Sequence, residues 1–181
     1  MKIFAFLLSF LNEAKRNEES AKKLEDDEKA NQENKMEQIK VKKLTSLAKL
    51  PVYSSEYAAA ADLFCAEEET VVIKAGETVL IHTGIAMEIP VGYAGFIYAR
   101  SGLASKKGLA PANKVGVIDA DYRGEIMVAL HNHSAEERTV ECGERIAQIA
   151  IAAAPQFDFT EADELSDTVR AAGGFGSTGT R

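Results

Sequence analysis

The densest chemistry in the chain lies at its end. Arg170-Ala171-Ala172-Gly173-Gly174-Phe175-Gly176-Ser177-Thr178-Gly179 holds four glycines, one aromatic ring, two hydroxyls and a guanidinium. Glycines let backbone N–H groups approach phosphate oxygens closely. Ser177 and Thr178 add hydroxyl donors, and Arg170 offers a bidentate fork for a terminal phosphate. Phe175 is the one large apolar residue of the run, and a flat base stacks well on such a ring. The run is not a P-loop, because no Gly-Lys-Ser/Thr sits at the required offset. Taken alone, it also reads as a floppy chain end.

Asp119 and Asp121 stand two residues apart, with Gly124 following. A calcium loop fails here: Arg123 takes the fifth place and Leu130 the twelfth, where a bidentate Glu is needed. By itself the pair reads as a β-turn with solvated carboxylates. Arg100-Ser101-Gly102 sets a charge, a hydroxyl and an unobstructed backbone N–H side by side, which suits phosphate. Gln148 alone would be a surface amide on a strand. His131 and His133 alternate, so a strand would place them on one face. Zinc would need more ligands than these and Cys142, so we read His82, His131 and His133 as structural or solvent-exposed.

The elements that must position these groups are short and β-like. Apolar alternation with Gly punctuation predicts strands at Ile39–Lys42, Val71–Ile73, Thr78–Ile81 and Ile85–Ile89. Further strands are predicted at Phe96–Tyr98, Val115–Ile118, Glu125–Leu130 and Ile146–Ile151. This spacing points to an all-β sandwich or barrel, with Ser101–Lys107 the one candidate helix.

Before residue 39 the composition differs. Met1 to Leu11 is apolar, and Asn12 to Gln38 is almost wholly polar, with Leu24 and Met36 its large apolar residues. Such a stretch cannot pack a core, so we read it as a solvated helix or a disordered arm. The apolar start reads as an interfacial helix or a segment docking on the protein's own surface. Export is disfavoured, because no small-x-small cleavage site follows. Met36 is an alternative start.

Among the 181 residues, 28 are acidic and 21 basic, a net charge of -7 that argues against a duplex-binding face. No apolar run reaches the ~20 residues that span a bilayer, so stable membrane insertion is not expected. Two cysteines in a chain this long read as free thiols in a reducing cytosol, and as small buried hydrophobes. A cytoplasmic protein is the expectation.

Five segments, in order, closely resemble the five motifs of the trimeric deoxyuridine triphosphate pyrophosphatases (dUTPases). They are Ala60–Leu63, Ala99–Ala104, Gly116–Glu125, Gly143–Gln148 and Arg170–Gly179. The resemblance covers about residues 39–181. It implies a jelly-roll-like β-barrel at 39–169, a tail at 170–181 that closes over nucleotide, and 1–38 as an extension outside the family pattern. It implies a homotrimer with three shared sites, dUTP as substrate, and hydrolysis to dUMP and pyrophosphate.

By the same resemblance, Asp119 orients the attacking water and Tyr122 lies under the deoxyribose, where a 2′-hydroxyl would clash. Asn113 and the main chain of Val117, Ile118 and Met127 read uracil on one hairpin. Arg100, Ser101, Gly102, Gln148 and Arg170 hold phosphates. Phe175 covers the base, with Gly176, Ser177 and Thr178 in the closing tail. Asp62 holds Mg²⁺ through waters, which suits an ion that keeps its waters and needs few carboxylates. Ala60 and Ala171 stand where the family usually has Gly, and Ala99 where it often has Pro. A deoxycytidine triphosphate deaminase of the same fold fits less well: Ala129 occupies the place of its catalytic Glu. A non-catalytic nucleotide-binding module is the remaining alternative.

Overall fold

A computed structural model of the protein describes residues 38–169 and 171. The expected N-terminal segment up to residue 37 lies outside the described residues, as do Arg170, Phe175, Gly176, Ser177 and Thr178. Among the described residues twelve strands run in chain order: β1 (Lys40–Lys43), β2 (Val52–Tyr53), β3 (Ala61–Phe64), β4 (Val71–Ile73), β5 (Thr78–His82) and β6 (Ile85–Glu88) come first. Then follow β7 (Tyr93–Tyr98), β8 (Leu109–Pro111), β9 (Gly116–Ile118), β10 (Met127–Asn132), β11 (Arg138–Val140) and β12 (Arg145–Ala153). A single helical turn at Leu103–Lys107 links β7 to β8, within the segment predicted to be helical.

The strands form four antiparallel ladders: β2-β3-β12-β7-β9, β5-β10-β8, β1-β6 and β11-β4. They wrap one core, and no ladder among the described residues closes into a barrel by itself. Every ladder contributes to that core: Leu63, Ile97 and Ile149 from the first, Ile81, Leu109 and Leu130 from the second, Ile85 from β1-β6, Ile73 and Val140 from β11-β4. Alternation along each strand sends these residues inward, while the outer face of the five-stranded sheet carries Asp62 and Gln148 beside Tyr98, Phe96, Ala150 and Val117. Leu130 is fully buried in β10, whereas Leu80 on β5 is half exposed. Leu130→Ala is therefore expected to cost about 2–5 kcal/mol, and Leu80→Ala under about 1. Thermal melts of the two variants check this.

No helix among the described residues is long and apolar enough to cross a membrane. After β12 the chain leaves the sheet, and Phe157, Phe159, Leu165 and Val169 are largely or wholly exposed.

Two sequence expectations need correction. Cys65 is buried, but Cys142 sits exposed in the turn after β11, where Gly143 bonds back to the Cys65 carbonyl. The predicted hairpin around Asp119 is not a two-stranded ladder. Strand β9 pairs with β7, while β10 pairs with β5 and β8 in a different sheet. The cause is burial. Ile118 packs against the core from the β7 side, whereas the fully buried Ile126 bonds to Ile85 and pulls the chain across.

Candidate active site

Strands β3, β12 and β7 place Asp62, Gln148 and Tyr98 directly opposite one another in a single row. The row falls on the outer face, because its neighbours Ala61, Ile149 and Ile97 point into the core. Together with Ser54, Arg100, Ser101 and Gly102 it lines a cleft of about 470 Å³. Four of the sequence-predicted residues and the predicted metal carboxylate thus meet in one place.

Asp62 organises this cleft. It is 5% exposed, yet it carries a charge. One oxygen accepts from Arg100 Nε at 2.6 Å. The other accepts from the Ser54 hydroxyl at 2.7 Å and from Arg145 Nη1 at 3.2 Å. Burial alone would push the carboxyl pKa up. The hydrogen bonds from Ser54 and Arg100, with the charges of Arg100 and Arg145, outweigh it and hold the group below the ordinary aspartate value. Arg100 is gripped through Nε, which leaves its Nη groups for an anion.

Arg145 reaches Asp62 because of an irregularity in β12. Strict alternation would send Arg145 to the same face as the buried Ala147. The register shifts between Arg145 and Ala147, so Ile146 is buried and Arg145 turns outward. Gln148 is oriented by a 2.9 Å bond from Nε2 to the Ala99 carbonyl, the residue before Arg100. Gly102 has an ordinary helical φ of -65°, and a Cβ there would meet nothing within 4 Å. Neither backbone conformation nor packing within the chain calls for glycine at that point, so the open space suits an incoming ligand.

Asp119 lies elsewhere. It lines a separate cleft of about 820 Å³ with Val117, Phe96 and Tyr93, and the two clefts share no lining residue. The segment from Asp119 to Glu125 is a compact loop. Tyr122 N–H donates to the Asp119 carbonyl at 3.2 Å, and the Tyr122 hydroxyl donates to the Glu125 carbonyl at 3.0 Å. Arg123 ties the middle by donating to the Ala120 carbonyl at 2.6 Å. Asn113 occupies the turn between β8 and β9, Val117 and Ile118 lie in β9, and Met127 opens β10. Ala171 adopts φ +43°, a left-handed conformation that costs an alanine but not a glycine.

Sequence reasoning assigned no role to Ser54, Tyr98 or Arg145. Arg145 carried a usable signal, an arginine inside the fourth motif. Ser54 and Tyr98 carried none. His131 Nδ1 bonds to the Thr78 hydroxyl at 2.8 Å, and its ring meets His133 edge-on at 4.3 Å between centroids.

On the outer face of an all-β sheet, a cleft that offers the Arg100 guanidinium, the Ser101 hydroxyl and an open backbone at Gly102 has the chemistry of proteins that handle phosphates. Comparison with known proteins makes this specific. The dUTPase family model matches residues 46–179. A deoxyuridine 5'-triphosphate nucleotidohydrolase of Hydrogenobaculum sp. (strain Y04AAS1) is 52% identical over 139 residues, covering 77% of this chain and 96% of its own length. That of Rickettsia felis is 48% identical over 143 residues, covering 78% and 97%. A Staphylococcus bacteriophage 80alpha dUTPase solved with dUpNHpp superposes with a TM-score of 0.74 at 30% identity, over 80% of this chain and 99% of the phage protein. The dUTPase of phage phi11 of S. aureus, solved to describe coordination of a structural Mg(II) ion, gives 0.65 at 26%, over 71% and 98%. The chain belongs to the dUTPase family, and its reaction is the hydrolysis of dUTP to dUMP.

Proposed function

We propose that this chain hydrolyses dUTP at sites each shared by three copies of itself. The observation that carries this reading is the separation of the two clefts: Arg100, Gln148 and Asp62 line one, Asp119 the other. One subunit would supply the phosphate cleft, a second the Asp119 loop, and a third the tail. The exposed apolar residues beyond β12 favour association as well, since such surface in a lone chain is costly.

In the assembled site, Asp119 accepts a hydrogen bond from the water and takes its proton as the oxygen attacks the α-phosphorus. The bond from that phosphorus to the bridging oxygen breaks, and pyrophosphate leaves with the electron pair. Arg100 and Arg170 neutralise charge on the phosphates, and Ser101, Gly102 and Gln148 donate hydrogen bonds to them. Asn113 and the main chain of Val117, Ile118 and Met127 read uracil, and Tyr122 packs under the deoxyribose. Phe175, Gly176, Ser177 and Thr178 cover the nucleotide and exclude water.

The residues present fit Mg²⁺ of a particular kind. Both oxygens of Asp62 already accept bonds from protein groups, and the lone pair left on the oxygen that Arg100 holds suits a hydrogen bond from a metal-bound water. No cluster of three or more metal-ligating side chains gathers among the described residues. The ion would be held chiefly by substrate phosphates, with Asp62 touching it through water. When bound, it supplies positive charge for the triphosphate.

In-trans complementation tests the shared site. Asp119→Asn and Arg100→Ala chains are each inactive in pyrophosphate release from dUTP. Mixed, unfolded and refolded together, they are expected to regain about a quarter of wild-type activity, because random assembly unites the two intact halves at that frequency. No recovery from demonstrably mixed oligomers would overturn the shared site.

A further inference from the structure

The corner between β5 and β6 grips the end of the Asp119 loop at four points. Glu125 Oε2 meets His82 Nδ1 at 2.8 Å, and Glu125 Oε1 accepts from Gly84 N–H at 2.7 Å. The Thr83 hydroxyl donates to the Ile126 carbonyl, and Ile126 N–H donates to the Ile85 carbonyl at 2.9 Å. Of these, the Glu125 contacts are the ones made by a side chain of the loop itself. The Glu125 carbonyl in turn accepts the Tyr122 hydroxyl, and Tyr122 closes the turn onto Asp119. His82 thus holds the Glu125 side chain, the Glu125 carbonyl holds the Tyr122 hydroxyl, and the Tyr122 N–H holds the Asp119 carbonyl.

We propose that His82 and Glu125 form a clasp that positions the Tyr122 ring, making His82 a positioning residue for discrimination against ribonucleotides. This rests on the reading that Tyr122 lies under the deoxyribose. Ribose rejection needs a ring held rigidly against the C2′ position. A ring whose hydroxyl is tied to a loosely held carbonyl yields to the extra oxygen.

The clasp is also tied to pH. The charged groups facing His82 are Glu125 and Glu67, whose carboxylate accepts the His82 backbone N–H at 2.8 Å. Across the ladder its partner is the uncharged Met127. The Glu125 hydrogen bond raises the His82 pKa, burial opposes it, and the charges of Glu125 and Glu67 add to the rise. A raised histidine pKa means that the charged pair is complete below the ordinary histidine range. It is lost as pH climbs through the raised value. Discrimination should therefore be strongest at low pH.

The test measures kcat and KM for dUTP and UTP from about pH 6 to 9 in four full-length proteins: wild type, His82→Ala, His82→Gln and Tyr122→Ala. His82 is exposed, so its variants should fold. At pH 6 His82→Ala should raise the UTP/dUTP ratio of kcat/KM about fivefold. Gln at that position donates a neutral hydrogen bond to Glu125, so it should hold the ratio below that of His82→Ala, at the level the wild type reaches at about pH 9. The wild-type ratio should climb with pH, and that of His82→Gln should stay flat. If Tyr122→Ala shifts the ratio but His82→Ala leaves it unchanged at every pH, the clasp is wrong and the Tyr122 reading stands. If Tyr122→Ala has no effect, both are wrong. Failure of His82→Gln to rescue would reduce His82 to a packing residue and overturn the proposal.

Discussion

Asp119→Asn is expected to lower kcat for dUTP by about 10²–10⁴ while leaving nucleotide affinity and melting temperature near wild type. Asparagine matches aspartate in shape but cannot take the proton of the attacking water. The structure gives little reason for collateral damage. Asp119 is exposed, and its side chain has no hydrogen-bond partner among the described residues, so folding gains little from its charge. The loop is held instead by Tyr122, Arg123 and Glu125. Affinity is best read with a non-hydrolysable dUTP analogue, because KM mixes binding with turnover. A near wild-type kcat would remove Asp119 from the chemistry, and a large loss of affinity would make it a binding group instead.

Asp62→Ala should strike both stability and activity. It strands two guanidinium groups, Arg100 and Arg145, beside a nearly buried position. Breaking a fully buried pair costs about 3–5 kcal/mol. Arg145 is half in water, so about 2–3 kcal/mol is the better expectation here. The kcat/KM for dUTP should fall by about 10², because Arg100 loses the bond that aims it. The pH dependence has a definite sign. The carboxyl is held below its ordinary value, so its contribution is present above that value and lost as pH falls through the lowered one. The difference in melting temperature between wild type and Asp62→Ala should therefore be constant near neutrality and shrink below about pH 4. A difference that instead grows on acidification would contradict the ion pairs.

Strands with a run of branched apolar residues were legible in the sequence. Val71–Ile73 matches β4 residue for residue, and Thr78–Ile81 and Ile85–Ile89 match β5 and β6 to within one residue at an end. Strands β2, β3, β8 and β11 were not. Each is two to four residues long, and β3 and β8 carry Asp62 and Pro111, residue types that strands usually avoid. Their pairing comes from neighbours distant in sequence, which local pattern does not report. The same holds for the cleft. Motif matching named Arg100 and Asp62, but that Arg145 joins them depends on a register shift invisible in a list of residues. The grip of His82 on Glu125 is likewise a contact between residues 43 positions apart.

The row of Asp62, Gln148 and Tyr98 has a consequence for how this protein can change over generations. Binding groups on loops drift as loops gain and lose residues. These sit on three paired strands whose opposite faces hold Ala61, Ile149 and Ile97 in the core. Inserting a single residue into β12 ahead of Gln148 would turn the amide inward and a core isoleucine outward in one event. Point substitution can tune this half of the candidate site, whereas an insertion or deletion inside these strands that is not absorbed as a bulge disturbs fold and site together. Length variation among descendants should therefore collect in the turns and beyond β12, where neither constraint applies.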